Sequence, residues 1–198
     1  FLLVGACLGV CNAALVQTSS FYFLDVIVPK SSNAIALASL GFMLAAFGSI
    51  LGQLILADRL RVSPGSLIRY GTLLCAVSLF SIALSNNLYS IYISLFLFGL
   101  GQGTQSTGLA ASISLSVDPK NQGKANGFMG MVLPIGHIIS PIIAMPLYMN
   151  SPEYPYILGG ITMFGALIFI QINPRHIWIR RKGYKKINIE RNQSIEES

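Results

Sequence analysis

Six apolar runs divide this chain, each close to the roughly 20 residues that a helix needs to cross a bilayer. They cover Phe1 to about Ile27, Asn33 to Leu56, Ser66 to Leu84, Leu88 to about Val117, Gly123 to Met149 and Tyr154 to Ile172, here helices a to f. The links between them are short and polar: VPKSSN, ADRLRVSPG, SNN, DPKNQ and NSPEYP. Links of that length make each helix run antiparallel to the one before it. The pattern predicts an all-α membrane protein, with six transmembrane helices in residues 1–174 and a separate basic tail over 175–198.

Composition agrees. Of 198 residues, 53% are hydrophobic and 10% charged, and the mean hydropathy is +0.65. Soluble domains carry about 25% charged residues, so much of this surface has to face something other than water. The net charge of +6 would invite nucleic acid as a partner in a soluble protein. Here the basic residues sit between and after the apolar runs, where anionic lipid accounts for them and no nucleic acid is expected.

Their placement sets an orientation. The a–b link holds Lys30 alone, whereas the b–c and d–e links and the tail hold the other twelve Lys and Arg residues, among them Arg59, Arg61, Arg69, Lys120, Lys124 and Arg181. The positive-inside rule puts that side, with the C-terminus, in the cytoplasm. The tail segment RHIWIRRKGYKK reads as an interfacial strip and the final NQSIEES as disordered. Phe1 opens the chain inside an apolar run with no basic region ahead of it. That reads as a fragment lacking an N-terminal part, not as a signal peptide.

Polar chemistry is concentrated in two helices. Helix d carries Gln102, Gln105, Ser106 and Ser112 on one face by helical spacing. Helix a offers Asn12, Gln17, Thr18 and Ser19. Two explanations stand: polar contacts between helices, or a shared polar cavity lined by Asn12, Gln17, Gln102, Gln105 and Ser106. Helix b carries Gly41, Ala45, Gly48 and Gly52 as one small-residue stripe, which suits either static close packing or a sliding surface. Helix e carries Gly127, Gly130, Pro134, His137 and Pro141 on one face, and its prolines predict a kink. An ionisable group near the middle of a membrane helix is a functional candidate, so His137 is either proton-linked or a neutral interhelical donor. Cys7 and Cys11 lie one turn apart with no His or carboxylate cluster beside them. They read as small buried residues, and neither a metal nor a cofactor is expected.

Helices a and d are separated by three, which divides the chain into two three-helix units, a–b–c and d–e–f. An odd number per unit inverts the second relative to the first, as transporters do. Through about Ile172 the chain resembles the C-terminal half of a major facilitator superfamily transporter, with a to f as the seventh to twelfth helices. Three features carry the resemblance. FYFLDVI is similar to the end of the seventh helix in drug-efflux members. ADRLR resembles the cytoplasmic Asp-Arg signature, which would give Asp58, Arg59 and Arg61 a gating role; the glycine that normally follows is absent. Gly136-His-Ile-Ile-Ser140-Pro141-Ile-Ile-Ala144 resembles the antiporter pattern G-x-x-x-G-P-x-x-G, with Ser and Ala in place of two glycines.

The resemblance implies alternating access around a cavity between two six-helix halves, one of them missing here. It implies proton-coupled export of drugs or small metabolites, and the short loops with no glycosylated lumenal domain point to a bacterial inner membrane. Two rivals come from other classes. A structural membrane protein would use the same polar residues as packing contacts. An intramembrane serine protease could cast Ser106 and His137 as its pair, but Thr104-Gln-Ser-Thr-Gly108 lacks the Gly-x-Ser-Gly context and no oxyanion donors are visible. The chain is therefore not expected to be an enzyme.

Overall fold

The computed structural model describes residues 2–29, 32–56, 63–117 and 119–172. Among these residues every regular element is helical. Helix α1 spans Leu2–Tyr22, α2 Ala34–Leu51, α3 Pro64–Ala83, α4 Leu88–Ser116, α5 Gln122–Asn150 and α6 Tyr154–Ile172.

The ends follow from local chemistry. Ser63 precedes α3 in extended conformation and Pro64 takes its first position, where the missing N–H loses nothing. Asn87 caps α4, its Oδ1 accepting from the Ser90 N–H at 2.9 Å. Helices α1 and α2 close differently from a plain helix end. Each runs on into a wider π-helical turn, Phe23–Ile27 and Gly52–Leu56. Such turns redirect side chains and frequently mark functional positions.

Among the described residues, four stretches are long and apolar enough to cross a membrane: Gly5–Ile27, Ala34–Leu54, Pro64–Ala83 and Tyr154–Ile172. Helices α4 and α5 have 29 residues each, about 43 Å at 1.5 Å per residue. In α4 the apolar character is diluted by Gln102 and Gln105. Helix α5 runs unbroken with Pro134, Pro141 and Pro146 inside it. Each proline lacks the N–H that the carbonyl four residues earlier would accept, so Pro141 offers none to His137.

Packing follows a simple plan. Helix α3 lies against α4 and α6, α4 also against α2, and α1 against α5 and α6; α1 and α4 meet only along a short stretch. Leu8, Leu15, Tyr22, Phe23, Ile68, Leu79, Ile91, Leu95 and Phe98 fill the centre. Large apolar side chains such as Val77, Ile93, Ile161, Phe164 and Ile168 are exposed around the outside. Water would not tolerate that surface on a monomeric protein, but hydrocarbon does.

Small residues set the crossings. On α2 and α4, a Cβ on Gly99 or Gly103 would fall on the carbonyl oxygen of Ala45 or Ser49, and one on Gly48 on that of Phe96. The α2 stripe read from sequence therefore faces α4. On the other side of the bundle, a Cβ on Gly136 of α5 would meet the backbone of Gly9 in α1. With lipid outside, apolar burial adds little between helices, and backbone approach of this kind supplies the packing.

Candidate functional site

Amides cannot face hydrocarbon without losing their hydrogen bonds, so the amides of α1 and α4 locate the polar surface. Gln102 and Ser106 are half-buried, and the Ser106 hydroxyl donates to the Gly103 carbonyl at 3.0 Å. Asn12 and Gln17 on α1 are half-buried as well. Ser140 Oγ lies 3.5 Å from Gln17 Oε1 and donates to it across α1 and α5.

Gln105 does not share that exposure. It is 0% exposed, and its backbone N and Cα stand against Gly71 of α3. Neither atom of its amide has a hydrogen-bond partner in the structure. The reason is geometric. Residues three apart on a helix differ by about 60° of arc, enough to turn Gln105 into the α3 contact while Gln102 keeps one side open. Nor do α1 and α4 lie side by side over their length, as the shared-cavity reading expected. Each is flanked by its own partners, α5 and α6 for α1, α2 and α3 for α4.

Helix α5 contributes its buried stripe Gly136, Ser140, Ala144 and Tyr148 to the α1 contact. Pro141 is half-buried beside that stripe, and His137 is exposed. At its start α5 touches α4, Gln122 Nε2 donating to the Ser114 carbonyl at 3.2 Å; one to two turns further on, nothing lies within 4 Å of a Cβ on Gly127 or Gly130, and Phe128 and Met131 are exposed. Asp58, Arg59 and Arg61, the gating candidates, lie outside the described residues, as does the tail 175–198.

One polar cluster was not anticipated. At the end of the bundle where α1, α3 and α5 finish, Tyr148 donates to Asp25 Oδ2 at 2.8 Å. Tyr22 donates to the Ser85 carbonyl at 3.1 Å. The rings of Tyr22 and Tyr156 meet edge to face, centroids 5.1 Å apart, and Thr18 Oγ1 is 3.1 Å from the Tyr156 hydroxyl. These contacts tie α1 to α3, α5 and α6. Asp25 is exposed and sits in the π-helical turn. Its place in FYFLDVI carried a resemblance in the sequence, but nothing local announced a partner 123 positions away.

Helix α1 and helix α5 thus meet at three levels: Gly9 with Gly136, Gln17 with Ser140, and Asp25 with Tyr148. The chemistry available is hydrogen bonding by uncharged groups, with one carboxylate at one end. No nucleophile–base pair is assembled from Ser106, whose hydroxyl is committed to its own helix.

The comparisons with known proteins follow this geometry. The family model described as Major Facilitator Superfamily matches residues 6–191. No curated protein matches the sequence. Among solved structures, a mutant of the peptide transporter POT in complex with alafosfalin superposes with a TM-score of 0.77 at 16% identity, over 88% of this chain and 37% of that one. The POT family transporter PepTSo gives 0.74 at 18% identity, over 88% and 36%. An auto-inhibited POT family peptide transporter gives 0.69 at 18%, over 91% and 36%. The chain therefore spans little more than a third of the length of these structures, and at such identities the likeness is one of fold.

Proposed function

Because the chain belongs to the major facilitator superfamily, a family of membrane transporters and not of enzymes, we propose that it forms the C-terminal six-helix half of a twelve-helix exporter. All six helices cross the membrane in this reading, with Lys120 and the C-terminal tail in the cytoplasm of a bacterial cell. The other half covers the walls that carry Asn12, Gln17, Gln102 and Ser106, and a small uncharged or zwitterionic compound passes between them. Asp58, Arg59 and Arg61 act at the cytoplasmic gate.

The observation that carries this is the packing plan. Exchanging α1 with α4, α2 with α5 and α3 with α6 maps the main packing pairs onto one another: α1–α5 becomes α4–α2, α1–α6 becomes α4–α3, and α3–α6 maps onto itself. The pairs α1–α5 and α4–α2 also cross on glycine, Gly136 against Gly9 and Gly99 against Ala45. Two inverted three-helix repeats give this arrangement. In this reading the two amide-bearing helices hold equivalent positions beside a cavity between two halves. A structural protein would have no reason to repeat it.

Proton coupling is assigned to His137, exposed on α5 beside the Gly9–Gly136 crossing. An imidazole changes charge in the physiological pH range. The test uses inverted membrane vesicles holding the full-length protein and an acid interior. Addition of a transported compound should release the pH gradient, and His137→Gln should shift the pH dependence of that release at unchanged protein level. Uptake into intact cells down an inward proton gradient would reverse the direction assigned, and release that ignores His137→Gln at every pH would remove the residue from coupling. Orientation is checked separately. A cysteine at Lys120, exposed in the turn before α5, should resist an impermeant thiol reagent outside intact cells, and ready labelling would invert the topology.

A further inference from the structure

A cavity of about 310 Å³ lies between α1, α5 and α6, with neither Gln17 nor Gln102 in its lining. Val10 and Ala14 of α1, Ile143 and Leu147 of α5, and Leu158 and Thr162 of α6 are among its lining. None of its lining comes from α2, α3 or α4, so it opens on the outer flank of the bundle. Helices α5 and α6 both lean on α1 but touch each other little, and the gap between them is the mouth. Ile143 and Leu158 stand at that gap, each 42% exposed.

The walls have no polar group to offer an occupant. Thr162 Oγ1 donates to the Leu158 carbonyl at 2.8 Å. Ser140 is turned to Gln17, and the Cys11 thiol points to the Gly159 carbonyl at 3.6 Å. No lining residue is charged. A buried water needs two to four polar partners, so water is not held here. Protein interiors rarely keep voids larger than a water molecule, and the medium at this mouth is the hydrocarbon of the bilayer.

Depth narrows the occupant. Leu147 is three residues from the end of α5, and Thr162 lies eight residues into α6. Ile143 and Leu158, at the mouth, lie seven residues before the end of α5 and four into α6, within about 11 Å of that end at 1.5 Å per residue. Half of the hydrocarbon core is about 15 Å thick, so the mouth opens in one leaflet, and the lining continues past it to Ser140, Cys7 and Ala6.

We infer that this cavity is a binding site for an acyl chain of a membrane phospholipid, taken from the leaflet on the side of the α5–α6 link. The chain enters between Ile143 and Leu158 and lies along Val10 and Ala14, while its headgroup stays at the interface beyond Tyr154. The site needs only that these helices span the membrane; it does not depend on the substrate, direction or coupling of transport.

The test is photolabelling of the full-length protein in nanodiscs of phosphatidylcholine carrying a diazirine midway along one chain, with adducts mapped by mass spectrometry. Adducts should concentrate on the lining segments of α1, α5 and α6. They should exceed those on lipid-facing positions of other helices, such as Val77 and Ile93. Thr162→Phe, which fills the cavity from the deep end of its α6 wall, should lose most of the cavity labelling and leave labelling at Val77 and Ile93 as before. Labelling spread evenly over all outward residues of the wild-type protein would overturn the site, whether or not the variant folds. So would complete displacement by a transported apolar compound, which would make the cavity a substrate route.

Discussion

Replacing Gly99 with valine is expected to lower the melting temperature of the detergent-solubilised protein more than any other single change in α4. A Cβ at Gly99 would fall on the carbonyl oxygen of Ala45, and the next atoms in reach are Ala45 C and Cα. All three belong to backbone, so no side chain can rotate aside, and α2 has to move as a whole. Movement is resisted by the rest of the same seam, where Gly103 meets Ser49, Gly48 meets Phe96 and Gly52 meets Leu100. Overpacking typically costs about 1–3 kcal/mol where side chains can adjust, and this contact belongs at or above the top of that range. Gly165 is the control: nothing lies within 4 Å of a Cβ there. Gly165→Ala should leave the melting temperature unchanged or raise it, since alanine is the better helix former. If Gly99→Val and Gly165→Ala melt together, the α2–α4 crossing is not set by close backbone contact.

That seam was legible in the sequence because small residues at steps of four, three and four can only form a stripe, and a stripe of glycines in lipid needs another helix. The helix ends were legible for a similar reason. Asn87, Pro64 and the NSPEYP link are local signals, and α3, α4 and α6 begin at or beside them. The rotation of a polar residue about its helix was not legible. Hydropathy says that Gln102 and Gln105 must turn away from lipid, but both the α3 contact and the open wall satisfy that demand, and they are separated by a fraction of a turn. Long-range pairing was equally hidden. Asp25 and Tyr148 sit at the ends of different apolar runs, and each reads alone as an interfacial residue. The repeat proposed for the two units is faint in sequence for a physical reason. Equivalent helices need only small residues at the crossing and apolar ones elsewhere, which many sequences supply.

Gln102 and Gln105 should therefore separate under mutation. Gln102→Ala removes a half-buried amide from the wall assigned to the substrate, where polar groups orient a ligand without adding stability. It should change the relative rates for two transported compounds and leave the melting temperature close to wild type. Gln105→Leu is expected to do the reverse. The side chain is fully buried and both amide atoms lack a partner, a condition that costs about 1–3 kcal/mol per unsatisfied group. Leucine of similar volume removes the donor and the acceptor together, so the melting temperature should hold or rise while substrate preference stays put. Gln105→Ala is the internal check, because it removes the same polar atoms but leaves a void beside Gly71, and voids of that kind destabilise. The order Leu above Ala is then expected in stability. A Gln105→Leu protein that is stable yet transports nothing would show that the amide finds its partner in another state of the cycle. Unchanged selectivity in Gln102→Ala would take that residue off the substrate wall.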